Sequence, residues 1–215
     1  MPVADRNPLL DGLPAYPLLL VISGPSGVGK DSILNRMREL KSPFHFVVTA
    51  TDRPMRAGER EGYDYHFVTT ERFREMISQG ELIEWARVYG YYKGIPASEV
   101  RDALASGLDV VLRIDVQGAA TVRRLAPDAV LIFVAPGSMD ELRARLERRR
   151  TESSAEIDRR LSVAQQEMEA LEAFDYIVLN RADRLDDAVA QIQAIVAAEK
   201  LRVHPRHVVL HGGMR

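Results

Sequence analysis

The sequence predicts an α/β protein whose parallel sheet is covered by helices on both faces. Apolar segments rich in β-branched residues alternate with amphipathic helical segments along the chain. The apolar segments are almost continuously hydrophobic, which is typical of strands buried on both faces of a sheet. A glycine-rich loop follows the first of them. A length of 215 residues suits one domain of this class with small inserted lobes.

Strand and helix patterns follow each other in a regular order. The predicted strands of the main sheet are residues 18–23, 45–49, 108–114, 130–134 and 176–179. The predicted helices are residues 29–40, 97–105, 117–125, 139–148, 155–173 and 185–199. Parallel strands require crossover connections of this kind, usually helical.

Two segments interrupt the alternation. Residues 50–94 are polar and rich in aromatic side chains, which indicates a small inserted lobe with short antiparallel strands and one helix near residues 70–78. Residues 143–160 are dense in arginine and are expected to form a mobile segment between two helices.

The composition argues against several classes of function. A formal net charge of −2 gives no field that would attract nucleic acid or a membrane surface. The chain has no cysteine, which excludes disulfides, thiol catalysis and zinc–thiolate sites and suits a reducing cytoplasm. Residues 1–17 contain four prolines and no long apolar run, so a flexible arm is expected there rather than a signal peptide.

The segment GPSGVGK, from Gly24 to Lys30, fits the phosphate-binding pattern G-x-x-x-x-G-K between a strand and a helix. Glycines allow the backbone to approach phosphate oxygens, and the helix presents its positive N-terminal end. The predicted ATP-binding residues are Gly24, Pro25, Ser26, Gly27, Val28, Gly29, Lys30, Asp31 and Ser32.

Asp31 stands where this pattern usually has a serine or threonine that binds Mg²⁺. The metal could be bound through water, by the Asp31 carboxylate, or with help from Ser32. Alternatively, Asp31 only stabilises the first helical turn through the helix dipole. The loop therefore predicts phosphate binding and leaves the metal ligands open.

The inserted lobe carries residues suited to a phosphate acceptor. Arg53 and Arg56 lie three positions apart, and Tyr65 follows. Arginine binds phosphate oxygens in pairs, and a tyrosine hydroxyl adds a donor. Glu84, beside Trp85, could accept two hydrogen bonds from guanine N1–H and N2–H₂, a donor pair that adenine lacks.

Taken together, these motifs resemble guanylate kinases from about residue 18 to residue 199. The segments that carry the resemblance are GPSGVGK, TATDRPMRAGE, GYDYHFV, GELIEWARVYG, IDVQG, RLERRRTES and RRLSVAQQEM. KGIP, LRIDVQGAAT and GKD are similar to the plant plastid-type branch and its bacterial relatives. The resemblance implies the fold of a P-loop nucleoside monophosphate kinase. This fold has a three-layer αβα core, an inserted GMP-binding lobe and a helical lid.

The resemblance also implies an activity and a set of site residues. The implied reaction transfers the γ-phosphoryl group of ATP to GMP and to dGMP, with Mg²⁺ as the cofactor. The implied GMP-binding residues are Thr49, Arg53, Arg56, Tyr65, Glu84, Lys93 and Asp115. The implied catalytic residues are Lys30, Arg145, Arg149 and Arg160, and Asn180 is implied near the adenine. Asp115 can also serve as the N-cap of the helix that follows it.

A few positions depart from the common family pattern. Lys93 replaces a tyrosine that binds the GMP phosphate, and Ile95 replaces a hydroxyl that helps to recognise guanine. Arg113 replaces an acidic residue before IDVQG, and Arg181 follows Asn180 in place of aspartate.

The implied division of the chain has five parts. They are an arm (1–16), a nucleotide-binding core (17–48, 95–138 and 163–200), a GMP-binding lobe (49–94), a lid (139–162) and a flexible tail (201–215). The expected protein is cytoplasmic, a monomer or homodimer, and acts on small molecules rather than on nucleic acid or membranes. Two other functions remain open at this point, a ribose 1,5-bisphosphate phosphokinase and a non-catalytic guanylate-kinase-like binding module.

Overall fold

The computed structural model describes residues 16–88, 90–148 and 154–210. The expected N-terminal arm, apart from Tyr16, lies outside the described residues. The described strands are β1 (Leu19–Ser23), β2 (Phe44–Phe46), β3 (Ala50–Thr51), β4 (His66–Phe67), β5 (Leu82–Val88), β6 (Tyr91–Pro96), β7 (Asp109–Arg113), β8 (Val130–Pro136) and β9 (Tyr176–Asn180). The described α-helices are α1 (Lys30–Glu39), α2 (Thr70–Ser78), α3 (Ala97–Ala105), α4 (Val116–Leu125), α5 (Met139–Arg148), α6 (Ser154–Met168) and α7 (Leu185–Lys200).

The main sheet has five strands in the order β2-β7-β1-β8-β9, and every neighbouring pair is parallel. The predicted parallel α/β core is therefore confirmed. β2 ends three residues earlier than predicted. The backbone N–H of Val48 donates to the Glu99 carboxylate at 3.0 Å, so the chain leaves the sheet there.

Alternate residues of the central strand β1 face opposite layers. Leu19 and Val21 belong to the apolar cluster formed with α3 and α4. Leu20 and Ile22 belong to the cluster formed with α1 and α7. Because both faces of β1 are buried, its sequence is a continuous apolar run rather than an alternating one.

The inserted lobe is a four-stranded sheet in the order β4-β3-β6-β5. Its pairs β3–β6 and β5–β6 are antiparallel, as expected, whereas the two-residue pair β3–β4 is parallel. The helix α2 has the predicted bounds and packs Phe73 and Met76 against the lobe sheet. Thr69 caps this helix by accepting a hydrogen bond from the backbone N–H of Arg72.

Helices α5 and α6 pack against each other through a small apolar cluster of their own, which includes Leu142, Leu146 and Leu161. Residues 149–153, which join the two helices, lie outside the described residues. The predicted helix 155–173 ends as an α-helix at Met168 and continues as a 3₁₀ helix over Glu169–Ala173.

Residues 201–210 belong to the segment expected to be a flexible tail, yet part of it packs on the core. Val208 and Leu210 lie against the same apolar cluster as α3 and α4. The guanidinium of Arg206 donates to Glu199, whose side chain is fully buried. Pairing with a buried carboxylate fixes this end of the described chain to α7.

Within the described ranges, no helix combines the length and the apolar character that crossing a membrane requires.

Candidate active site

The glycine-rich loop connects β1 to α1 and needs glycine at its two ends. Gly24 has φ +133°, and a Cβ there would overlap the carbonyl oxygen of Val134. Gly29 is the N-cap of α1 with φ +98°, and a Cβ there would overlap the side-chain amide of Asn180. The loop can therefore lie close to β8 and β9 and direct the positive end of α1 into the space in front of it.

Lys30, the first residue of α1, folds back over the loop. Its Nζ donates to the carbonyl oxygens of Gly24 at 2.5 Å and Pro25 at 3.1 Å. Burial lowers the pKa of Lys30 to about 8, although the nearby Glu167 and Asp31 carboxylates act in the opposite direction. This lysine is held beside the backbone groups that the sequence predicts to bind phosphate.

Three of the predicted nucleotide-site residues form hydrogen bonds with the glycine-rich loop. Arg145 donates to the carbonyl oxygens of Val28 at 2.8 Å and Asn180 at 2.6 Å. Asn180, which is buried, donates its side-chain amide to the same Val28 oxygen at 2.8 Å. Arg160 donates to the Ser26 hydroxyl at 2.8 Å. The predicted catalytic residue Arg149 lies outside the described residues.

A cavity of about 460 Å³ opens between the loop, the lobe and the carboxyl end of β7. The predicted site residues that line it are Gly24, Ser26, Gly27, Gly29, Lys30, Asp31, Ser32, Thr49, Tyr65, Glu84, Lys93 and Asp115. The fold therefore brings residues from both predicted substrate sites to one cavity.

Glu84 lies on β5 in the wall of this cavity and is only 9% exposed. Burial, with a smaller contribution from Asp115, raises the pKa of Glu84 to about 7. Asp115 is the N-cap of α4 and accepts a hydrogen bond from the backbone N–H of Gly118 at 2.8 Å. Ile95 is buried in the same wall, so this part of the cavity combines an apolar surface with two carboxyl groups.

Tyr65 and Lys93 meet on the lobe side, where Lys93 Nζ donates to the Tyr65 hydroxyl at 3.4 Å. Burial alone would raise the pKa of Tyr65, but the positive charges of Arg113 and Lys93 outweigh it and lower this pKa. The tyrosine hydroxyl therefore lies in a positively charged environment.

Two predicted GMP-binding residues, Arg53 and Arg56, do not line the cavity. The guanidinium of Arg53 forms a paired contact with the Glu59 carboxylate, at 3.0 and 2.7 Å. It lies 5.3 Å from the centre of the Tyr65 ring. The side chain of Arg56 is exposed, and its backbone N–H donates to Glu59. Within the lobe segment, the Arg53 side chain is therefore engaged by Glu59, whereas Arg56 contacts that carboxylate through its backbone.

Sequence reasoning did not place several cavity residues in the site. They are Ala86, Gly94, Ile114, Arg113, Val163 and Glu167. Arg113 had a signal, because it departs from the family pattern. Glu167 had none, since a glutamate on an amphipathic helix usually faces solvent. Here its carboxylate accepts a hydrogen bond from the loop N–H of Ser26 at 3.2 Å.

Comparisons with known proteins agree with the geometry. The guanylate kinase family model matches residues 16–199. The chain is 49% identical over 196 residues to "Guanylate kinase 2, chloroplastic/mitochondrial" of Oryza sativa subsp. japonica, covering 91% of this chain and 69% of the relative. It is 45% identical over 186 residues to the guanylate kinase of Caldanaerobacter subterraneus, covering 86% and 89%.

Among solved structures, the guanylate kinase from Anaplasma phagocytophilum is similar with a TM-score of 0.71. It is 33% identical, and the match covers 88% of this chain and 89% of that structure. A family match over most of the chain, relatives of this identity and a shared fold lead to one conclusion: the chain belongs to the guanylate kinase family.

Proposed function

We propose that the cavity of about 460 Å³ is where this guanylate kinase transfers the γ-phosphoryl group of ATP to GMP, giving ADP and GDP. The observation that supports this location is that one cavity joins the glycine-rich loop and Lys30 to Glu84 and Tyr65. A phosphoryl transfer needs both phosphate groups held in line in one space.

On the donor side, the loop N–H groups and the positive end of α1 hold the phosphates of ATP. Lys30 exchanges its contacts with Gly24 and Pro25 for phosphate oxygens, and the negative charge of these oxygens raises its pKa again. ATP also replaces the Glu167 carboxylate on the N–H of Ser26. Asn180 and Arg145 keep the loop in shape through the Val28 carbonyl.

On the acceptor side, the Glu84 carboxylate accepts the two guanine N–H donors, with Thr49 and Asp115 in the same wall. Adenine presents no such donor pair, so Glu84 selects guanine. Ile95 supplies apolar contact rather than a hydrogen bond. Tyr65 and Lys93 bind the GMP phosphate, and Arg53 and Arg56 join them when the lobe closes and Arg53 exchanges Glu59 for phosphate.

In the reaction, an oxygen of the GMP phosphate forms a bond to the γ-phosphorus. The bond from the γ-phosphorus to the bridging oxygen of ADP breaks, and that oxygen leaves with ADP. Arg145, Arg149 and Arg160 bring positive charge to the transferred group as the lid closes. Closure also excludes water, which would otherwise hydrolyse ATP.

The oxygen donors at the start of α1 suit Mg²⁺, which prefers oxygen ligands and takes few of them from protein when phosphates are present. Ser32 and Asp31 line the cavity there, and one Asp31 oxygen is paired with Arg113. No group of three or more acidic or histidine side chains suited to a metal exists in the described part of the chain. When bound with ATP, Mg²⁺ would neutralise phosphate charge, and Ser32 is the residue that would hold it, directly or through water, while Asp31 stays paired with Arg113.

The proposed setting is the cytoplasm, which the absence of cysteine suits. The proposed assembly is a monomer or a homodimer that acts on small molecules. No feature of this cavity favours the ribose bisphosphate or binding-module alternatives over GMP.

The experiment that tests the proposed function is coupled measurement of ADP release with ATP and Mg²⁺, comparing GMP, dGMP, AMP, IMP and ribose 1,5-bisphosphate. We expect GMP to be the preferred acceptor and AMP to be turned over at least about 100-fold less efficiently, because AMP leaves Glu84 without its donors. Preferred turnover of the ribose bisphosphate would contradict the proposal.

A further inference from the structure

Two residues that depart from the family pattern meet at the junction of the donor loop and the acceptor lobe. Asp31 lies in the first turn of α1. Arg113 is the last residue of β7, in register with Ile22 of β1, two residues before the loop begins at Gly24. A guanidinium nitrogen of Arg113 donates to the Asp31 carboxylate and forms an ion pair with it. Arg113 is thereby held at the edge of the phosphate loop.

The side chain of Arg113 faces the cavity rather than solvent. It is 28% exposed, against 67% for Asp31. Arg113 lines both the cavity of about 460 Å³ and an adjoining one of about 230 Å³, and Tyr65 lines both as well. Arg113 and Tyr65 therefore border the same space.

The cationic residues that line the larger cavity in the described chain are Lys30, Lys93 and Arg113. Lys30 is bound to the donor loop. Lys93 and Arg113 both interact with the Tyr65 hydroxyl, the donor that the proposed function assigns to the GMP phosphate. Arg53, by contrast, is engaged by Glu59. A guanidinium has five N–H donors in a fixed plane, so one that pairs with Asp31 keeps donors for a phosphate.

We propose that Arg113 binds the phosphate group of GMP and that Asp31 is a positioning residue which holds its guanidinium. This inference rests on the proposed acceptor site and adds a contact from the core strand β7 to those from the lobe. Asp31 then acts mainly through Arg113, and the metal depends little on it.

The first test is calorimetric binding of GMP and of guanosine, without ATP or Mg²⁺, to the parent protein and to Arg113→Met. We expect GMP to bind about 10- to 100-fold more weakly to the variant, since a charged hydrogen-bonded contact is lost. Guanosine, which lacks the phosphate, should bind both proteins equally. Arg113→Lys should recover part of the GMP affinity, because it keeps the charge and loses the paired geometry.

A matched control is Arg123→Met. Arg123 also pairs with an aspartate, Asp175, and is 30% exposed, but it does not line the cavity. It should leave GMP affinity unchanged. Melting curves of all variants establish that they are folded.

The second test asks whether Asp31 acts through Arg113. Asp31→Asn should weaken GMP binding about 3- to 10-fold in the parent and less than about twofold in the Arg113→Met background, because coupled residues are not additive. The Mg²⁺ concentration that gives half-maximal turnover should stay unchanged in Asp31→Asn. An equal effect of Asp31→Asn in both backgrounds, or a large rise in the Mg²⁺ requirement, would overturn the positioning role.

The outcomes separate this inference from the proposed function. If the parent protein does not bind GMP, the proposed function fails. If the parent binds GMP and Arg113→Met binds it equally well, only the role of Arg113 fails. An equal loss of GMP and guanosine binding would make Arg113 a structural residue and also overturn the inference.

Discussion

Burial in the cavity shifts the pKa of two residues strongly. Lys30 lies on the proposed ATP side and Glu84 on the proposed GMP side. Burial lowers the pKa of Lys30 to about 8 and raises that of Glu84 to about 7. Each residue must be charged to bind its substrate, so each substrate stabilises the charged form that burial disfavours. Near neutral pH, both substrates are therefore expected to change the protonation of the site when they bind.

Lys30→Ala should abolish turnover, with a loss of kcat of at least about 1,000-fold, because the transferred phosphoryl group loses its charge partner on the donor loop. GMP binding should be largely unaffected, since Lys30 belongs to the donor side of the cavity. Steady-state kinetics and calorimetric GMP titration measure the two effects. Retained turnover would exclude the loop as the ATP site.

The raised pKa of Glu84 should make GMP affinity and the stability of the free protein depend on pH in opposite directions. Its carboxyl group must be ionised to accept guanine, so GMP should bind about tenfold more tightly at pH 8 than at pH 6, as the ionised fraction rises through a pKa of about 7. Glu84→Gln should bind GMP more weakly and should lose this part of the pH dependence. The GMP phosphate titrates equally with both proteins, so their difference isolates Glu84.

Without GMP, the raised pKa of Glu84 favours the folded protein at low pH. This stabilisation is fully present below the ordinary value of 4.5 and is lost as the pH rises through about 7. At pH 8, Glu84→Gln should therefore melt at a higher temperature than the parent, by up to about 10 °C. Equal melting temperatures at pH 8 would mean that burial of the charged Glu84 carboxylate does not destabilise the fold.

At the scale of elements, the C-terminal end of α7 is held by an interaction that has no sequence motif. Glu199 has a fully buried side chain and accepts hydrogen bonds from Arg206 and from the Tyr176 hydroxyl. These contacts lower the pKa of Glu199 despite its burial. The segment after α7 is thus tied to β9 through one carboxylate.

Arg206→Met should destabilise the protein by about 3 kcal/mol, because it leaves a buried carboxylate with fewer partners. The melting temperature should fall by about 6 to 12 °C. Arg202→Met is the matched control, since Arg202 also pairs with Glu199 but is 48% exposed and contributes little. Equal effects of the two substitutions would contradict the buried-pair explanation.

How far the sequence predicts the structure differs between elements. The strands and helices of the core follow from continuous apolar runs and helical periodicity, as in β1 and α2, whose local patterns agree with their tertiary burial. The early end of β2 depends on Glu99, which lies 51 positions from Val48, and the packing of Arg206 depends on Glu199 in the preceding helix. Such contacts have no local signature.

The candidate site also contains both kinds of residue, those recognisable from a local motif and those placed only by tertiary contacts. The loop, Glu84 and Tyr65 are recognisable because their spacing carries the chemistry. Glu167 reaches the loop from α6, and Arg113 reaches Tyr65 from β7, through chain topology alone. Arg53 is recognisable from its motif, but its pairing with Glu59 is a property of the lobe's local geometry.

At the scale of the whole molecule, Glu99 on α3 connects the core to the lobe. One of its oxygens lies 2.9 Å from His45 Nε2 on β2 and accepts from Val48 N–H, where the chain leaves the core. The other lies 3.4 Å from His66 Nε2 on β4 of the lobe. Glu99 thus lies between the core and the lobe, and we expect it to restrain the angle at which they meet.

Glu99→Ala should raise the KM for GMP about 3- to 10-fold and leave the KM for ATP unchanged, because the lobe carries most of the acceptor residues and the donor loop belongs to the core. Small-angle X-ray scattering should show a wider distribution of shapes in the variant. Saturating GMP should narrow it again. An unchanged KM for GMP with an unchanged scattering profile would remove Glu99 from this role.

The contacts of Arg206, Val208 and Leu210 affect where the end of the folded unit should be placed. The family model ends at Glu199. The charge of this glutamate is balanced by Arg206, which lies beyond that end. A chain cut at that boundary would keep the buried acid and lose its counter-charge, and it would uncover the apolar surface beneath Val208 and Leu210. Such a shortened chain should be prone to aggregation, although every residue proposed to contact the nucleotides would still be present. The smallest unit that folds well is thus longer than the unit that carries the chemistry.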